Sequence, residues 1–146
     1  KFLESTPADW ERFVKLNMYG LMNGAHAVLP GMLENGWGRI IAITSESWRA
    51  GVPMGIAAYA ASKAGVVGFI RQLAAETGRK NITVNALSLG TMNNWEGSDE
   101  LATRIGFVPR AGSPADVGAG VVYLASREAS WVTGQVYPLN GGALTA

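Results

Sequence analysis

Two short β-branched runs, Gly38-Arg39-Ile40-Ile41-Ala42-Ile43-Thr44 and Ile82-Thr83-Val84-Asn85-Ala86-Leu87-Ser88, flank one long helical stretch from about Ile56 to Thr77. Runs so apolar fit strands buried on both faces. Strands joined through a helix pair in parallel, with a right-handed crossover. A third run, Gly134 to Leu139, follows a further helix that begins after Ser113. Pro138 lacks a backbone donor, which suits a sheet edge or a strand end. The order α-β-α-β-loop-α-β predicts the α/β class with a parallel sheet of about three strands and flanking helices. The loops after the strands gather at one sheet end, where ligands of open α/β sheets bind.

The helix signals are explicit. In Thr6-Pro7-Ala8-Asp9, threonine caps, proline suits the first turn and the carboxylate faces the positive dipole end. Ser113-Pro114-Ala115-Asp116 repeats the pattern. The first helix is predicted to run toward Met32, with an apolar stripe of Trp10, Phe13, Val14, Met18, Leu21, Ala25, Val28, Leu29 and Met32. Asn17 falls inside that stripe. Two readings are open: an amide bonded to a neighbouring backbone group, or one that holds a water or distorts the helix at a site. Gly31 to Gly38 reads as a turn-rich break, and Gly78 as the C′ glycine that closes the second helix. Thr91 to Gly112 is irregular apart from a short helix near Asp99–Ile105, and a loop of that length is usually functional.

The chain has 146 residues, 48% hydrophobic and 16% charged, which fits one domain with a core. A net charge of +1 without a basic block points away from nucleic acid and from anionic membranes. Without cysteine there is no thiolate metal site or disulfide scaffold, and the reading is a reducing cytoplasm. The single histidine, His26, cannot build a histidine metal cluster alone, so no metal is expected. No apolar run is long enough to span a bilayer. The opening, Lys1-Phe2-Leu3-Glu4-Ser5, reads as the middle of a longer sequence.

Chemistry concentrates in Tyr59-Ala60-Ala61-Ser62-Lys63. Positions i and i+4 of a helix share a face, about 5–6 Å apart at Cβ. An ammonium beside a phenol favours the phenolate and readies the hydroxyl for acid–base work near neutrality. The plainer reading is a half-buried tyrosine and a solvated lysine. Beyond the first strand lies Ser45-Glu46-Ser47, at a ligand-facing position. Glu46 and Arg49 either select a polar substrate group or form a loop ion pair. Trp48, Met54, Trp95 and Phe107 either line an apolar pocket or pack ordinarily.

Taken together these pieces resemble the C-terminal portion of a short-chain dehydrogenase/reductase, in the manner of 3-oxoacyl reductase-like members. The likeness rests on Asn17-Met-Tyr-Gly, the strand ending at Ser45, Tyr59-Ala-Ala-Ser-Lys63-Ala-Gly, Asn81-Ile-Thr-Val-Asn85-Ala, Arg110-Ala-Gly-Ser-Pro-Ala-Asp-Val and Val132-Thr-Gly-Gln-Val, in the family's order. It implies a Rossmann-like doubly wound parallel sheet, of which this chain is the C-terminal half. It also implies hydride transfer between NAD or NADP and a carbonyl or secondary alcohol. By the resemblance, Tyr59 is the general acid/base, Lys63 lowers its pKa and bonds the nicotinamide ribose, Ser45 holds the substrate oxygen and Asn17 steadies a water in the proton relay. Gly90, Met92 and Asn94 would join Tyr59 and Lys63 around the cofactor. Ser45, Ser47, Trp48 and Trp95 would face a small-molecule substrate. The long helices would pair in a homodimer or homotetramer.

The sequence departs from the family in places. Ser45 precedes Tyr59 by one residue more than is usual, which leaves Ser47 as the other candidate. Leu89-Gly90 stands for Pro-Gly, Asn94 for a threonine, and Asn140-Gly141-Gly142 for Asp-Gly-Gly. The family's phosphate-binding glycine turn has no counterpart in these residues, so the chain alone is expected to bind dinucleotide weakly and to be inactive. A non-catalytic nucleotide sensor or assembly subunit of the same fold is the competing expectation.

Overall fold

Thr6 opens helix α1, Pro7–Val14, as its pattern predicts: its Oγ1 accepts from Asp9 N–H at 3.4 Å, and Asp9 Oδ2 accepts from Thr6 N–H at 2.9 Å. The structure, a computed structural model, describes residues 1–145. One π-helical turn, Lys15–Tyr19, interrupts the regular hydrogen bonding before α2, Gly20–Asn35. The helix therefore runs past the predicted stop at Met32. Pro30 lies on an exposed side of α2, and the left-handed residue that ends the helix is Gly36, at φ 62°. The predicted stripe is buried or half-buried except for Val28, which is exposed.

Strand β1, Gly38–Ser45, leads through a 3₁₀ turn, Glu46–Trp48, and a loop into α3, Ala57–Thr77. Gly78 does not close α3 in a left-handed conformation. It has φ −56° and enters a 3₁₀ turn, and the left-handed residue is Asn81, at φ 60°. Asparagine tolerates that region, and Asn81 Nδ2 is anchored on Gly36 O at 3.0 Å. Strand β2, Ile82–Leu89, precedes α4, Ser98–Ile105, and α5, Pro114–Ala125. Strand β3, Val136–Leu139, completes a parallel sheet in the order β1-β2-β3. Pro138 is the penultimate residue of an edge strand, as its missing donor requires.

Side chains alternate across the sheet. Ile40, Ala42, Val84 and Ala86 pack under Ala25 of α2 and Val66, Ile70, Leu73 and Ala74 of α3. Leu87 and Leu139 meet α5 on the other face, where a Cβ on Gly120 would come within 3.2–3.3 Å of both. Helices therefore cover both faces, which makes the architecture a Rossmann-like α/β sheet. Gly65 permits the closest helix contact, since a Cβ there would lie 2.6 Å from Met18 Sδ. Among the described residues, no helix is long and apolar enough to cross a membrane.

At α5, Ser113 and Asp116 form the second reciprocal cap, and Arg110 grips the same carboxylate with two bonds of 2.7 and 2.8 Å. Hydrogen bonds from Arg110 and then Ser113 hold the Asp116 carboxyl well below the usual aspartate range. A depressed carboxyl stabilises the fold above the unfolded-state pKa, and that contribution fades as pH falls through the folded-state pKa. Asp116→Asn is therefore expected to melt lower than wild type at pH 7 and to lose less melting temperature on acidification below pH 4. Parallel acid-side slopes in thermal unfolding would show that Asp116 carries no such linkage.

Candidate active site

Register builds the site. The pairings Ser45↔Leu89 and Leu89↔Leu139 bring the three strand ends level, so their successors Glu46, Gly90 and Asn140 emerge side by side at the C-terminal sheet edge. Above them lies a cleft of about 560 Å³. Ser45, Ser47, Tyr59, Lys63, Gly90, Met92, Asn94 and Trp95 all line it, as does Met54. Asn17 and Trp48 do not. The Trp48 indole instead donates to Ser88 Oγ at 3.2 Å, and the Arg71 guanidinium stacks on its ring. Phe107 packs on Gly142, away from the cleft.

Helix α3 is pinned to β1 in both directions. Lys63 Nζ donates to Ile43 O at 3.0 Å, and Thr44 Oγ1 donates to Lys63 O at 3.0 Å. This fixes the ammonium 5.7 Å from the Tyr59 ring centroid. Burial lowers the Lys63 pKa, because desolvation disfavours the cation. One bond is used at Ile43, so two of the three ammonium donors remain for a ligand. The Tyr59 ring meets Phe13 edge-on at 5.8 Å and 72°.

Ser45 and Ser47 differ in what they keep free. Ser47 sends both its N–H (3.3 Å) and its hydroxyl (3.1 Å) to Ser45 Oγ. Ser45 thus accepts twice and, among the described residues, donates to no protein group. Its hydroxyl is therefore left free to donate into the cleft.

Asn17 sits within the π turn, so the helix is distorted at that residue. Its Nδ2 donates to Ser62 Oγ at 2.9 Å, and Ser62 Oγ donates to Tyr59 O at 2.7 Å. Wider helical turns of this kind occur often at functional sites. Sequence reasoning missed Ser62 as the link. Its signal was a small polar residue on the buried face of α3, directly before Lys63.

The turn after β2 has a free backbone edge. Asn93 N–H donates to Gly112 O and Gly112 N–H to Thr91 O, each at 2.9 Å. Met92 lies between, and its own N–H and C=O make no hydrogen bond among the described residues. With the spare Lys63 donors, this set matches the amide and hydroxyl groups of a nicotinamide riboside. Gly90 lies so close to the β3 turn that a Cβ would sit 2.7 Å from Asn140 Cα. Backbone cannot yield as a side-chain tip can, so Gly90→Ala is expected to cost about 1–3 kcal/mol. A melting temperature within a degree of wild type would contradict that packing.

Glu46 is also drawn into the site. Burial pushes its carboxyl up, but the nearby Ser88 hydroxyl and the hydrogen bonds from Arg49 and Asn140 together hold it below the usual glutamate range. The Glu46–Arg49 ion pair, at 2.7 Å, is the loop salt bridge that was one of the two sequence readings.

Known proteins resemble this chain over nearly its whole length. The family described as enoyl-(acyl carrier protein) reductase matches residues 1–144. Nodulation protein G of Azospirillum brasilense is 39% identical over 97% of this chain and 59% of its own length. Acetoacetyl-CoA reductase of Shinella zoogloeoides is 37% identical over 97% of this chain and 61% of its own. A crystal structure of a 3-oxoacyl-[acyl-carrier protein] reductase with bound NAD from Brucella melitensis superposes with a TM-score of 0.93 at 34% identity. It covers 99% of this chain and 55% of the Brucella chain. The chain thus spans about three-fifths of the curated relatives it matches. With its parallel sheet, its Tyr59–Lys63 pair and this match over nearly every residue, the chain belongs to the short-chain dehydrogenase/reductase family of oxidoreductases.

Proposed function

We propose that this chain carries the acid–base half of an oxidoreductase that moves a hydride between NAD(P)(H) and a carbonyl or secondary alcohol carbon. It would work as the C-terminal part of a single Rossmann-like domain whose N-terminal part receives the dinucleotide. The observation that carries this reading is the convergence of Ser45, Tyr59 and Lys63 on one cleft beside the open backbone of Met92. A bound nicotinamide supplies or accepts the hydride. Every other task falls to the chain. Tyr59 gives its hydroxyl proton to the substrate oxygen in reduction and takes it back in oxidation. Lys63 would hold the ribose hydroxyls with its two spare donors. Ser45 donates to the same substrate oxygen and stabilises the charge developing there. Asn17 fixes the backbone beneath Tyr59 through Ser62, and it orders a water in the relay that returns the proton to Tyr59.

Gly90, Met92 and Asn94 form the cofactor's wall, and Ser47 and Trp95 the substrate's. The relatives' names support a small carbonyl or hydroxyl substrate. Leu16, Tyr19 and Met22 leave apolar surface exposed along the first long helix, which supports pairing of copies through the long helices. The test is a spectrophotometric assay of the complete domain. NADH or NADPH consumption should depend on an added ketone from a panel of short 2-ketones and 3-oxoacyl thioesters. Lys63→Met should abolish it. Ketone-dependent consumption undiminished by Lys63→Met would sink the assignment.

A further inference from the structure

We propose that Glu46 and Asn140 form a matched acceptor–donor clasp that holds the Ser45 loop in register with the Gly90 turn, making both of them positioning residues for the reaction proposed above. The inference rests on that reaction for its functional readout. Its structural basis is independent of it.

Two loop segments, one after β1 and one after β3, meet at one carboxylate. Glu46 Oε2 accepts from Arg49 Nε at 3.1 Å, Arg49 Nη2 at 2.7 Å and Asn140 Nδ2 at 2.9 Å. The strand register explains why these two residues can meet. Glu46 follows β1 and Asn140 follows β3, two strand spacings apart, or about 10 Å across the sheet. They reach each other over β2, whose successor at that level is Gly90. A side chain at Gly90 would meet Asn140 Cα and Cβ at 2.7 and 2.8 Å. Gly90 N–H is itself bonded to Leu139 O at 2.9 Å. The bare glycine and the long carboxylate are therefore parts of one junction.

The polarity of the pair is set by its surroundings. Asn140 Nδ2 donates both to Glu46 and to Leu144 O, each at 2.9 Å, while Oδ1 accepts from Gly142 N–H at 2.9 Å. An aspartate at 140 could keep the last bond and would lose both of the others. It would also set a second carboxylate against a glutamate whose side chain is only 12% exposed. Like charges that close, away from water, repel strongly.

The clasp reaches the chemistry through one turn. Glu46 directly follows Ser45 and begins the 3₁₀ turn that aims the N–H and hydroxyl of Ser47 at Ser45 Oγ. Holding the Glu46 side chain from across the sheet fixes that turn. Released, the turn can rotate and carry the Ser45 hydroxyl off the substrate oxygen. A misplacement of about 1 Å can cost about 10²-fold in rate.

The experiment compares wild type, Asn140→Asp, Glu46→Gln and the double exchange in the complete domain, with Tyr59→Phe as control. Asn140→Asp is expected to lower kcat about 10- to 100-fold with KM for the cofactor within about two-fold, as lost positioning predicts. Glu46→Gln, which relieves the repulsion, is expected to restore most of that kcat in the double variant, with the polarity of the pair reversed. Full turnover in Asn140→Asp, or a double variant no better than Asn140→Asp, overturns the clasp while loss of turnover in Tyr59→Phe leaves the proposed reaction standing. Full turnover in Tyr59→Phe overturns the reaction instead. The clasp is then decided by thermal unfolding: rescue of the Asn140→Asp melting loss by Glu46→Gln supports it, and additive losses overturn it.

Discussion

Replacing Tyr59 with phenylalanine should reduce kcat by about 10²–10⁴-fold, the usual worth of a positioned general acid or base. The substitution removes one oxygen and leaves the ring. The edge-on contact with Phe13 persists, and so does the Lys63 bond to Ile43 O, since neither uses the hydroxyl. The variant should therefore melt with wild type and bind cofactor with nearly unchanged affinity. A large loss of kcat with an intact fold isolates the proton-transfer role. Steady-state kinetics in both directions provides the check, because one group serving as acid and base must slow reduction and oxidation alike. If KM rose while kcat held, Tyr59 would be a binding residue rather than the proton carrier.

The largest effect expected on stability comes from Asn85→Leu. Asn85 is fully buried in the central strand, where an amide side chain needs a reason. Its Nδ2 donates to Val132 O at 2.8 Å, and its Oδ1 accepts from Gln135 N–H at 3.1 Å. It thereby satisfies two backbone groups of the segment that leads into β3. Leucine has similar volume and no polar atoms, so both groups lose their partner away from water. At about 1–3 kcal/mol for each group, the loss is about 2–6 kcal/mol, a large part of a domain's stability. Chemical denaturation should show a lower midpoint with an unchanged slope. Hydrogen exchange should speed up most at Gln135, whose N–H loses its acceptor, while Gly134 N–H to Val84 O and Ala86 N–H to Gln135 O still tie the segment to β2. A variant within 1 kcal/mol of wild type would mean that water or a shifted loop replaces the amide.

Local chemistry made much of the fold legible. Strands β1 and β2 lie where the β-branched runs place them; β2 is covered on both faces, whereas β1 buries one face and leaves Ile43 on the other exposed. The capping boxes at Thr6 and Ser113 need only residues three positions apart, and both form as read. The early stop expected near Met32 shows the limit of such rules. Pro30 and Gly31 weaken a helix locally, yet Leu29 and Met32 pack against the sheet core and carry α2 on to Asn35. The exchange of Gly78 for Asn81 as the left-handed residue has a similar cause. The bond from Asn81 to Gly36 O spans 45 residues, and no local pattern contains it.

The candidate site divides along the same line. Sequence alone singled out the residues proposed to carry the chemistry: the i,i+4 spacing of Tyr59 and Lys63, the hydroxyls past β1 and the glycine turn past β2 are all short-range patterns. Only the tertiary structure decided how they are held. It turned Trp48 out of the cleft onto Ser88, linked Asn17 to Tyr59 through Ser62, left the Ser45 proton free and bound the Ser47 one. It also brought Glu46 across β2 to Asn140. The Trp48, Asn17 and Glu46 contacts join residues 40–94 positions apart and are selected by strand register and helix docking across the whole sheet, whereas the Ser47–Ser45 bond is local to its turn.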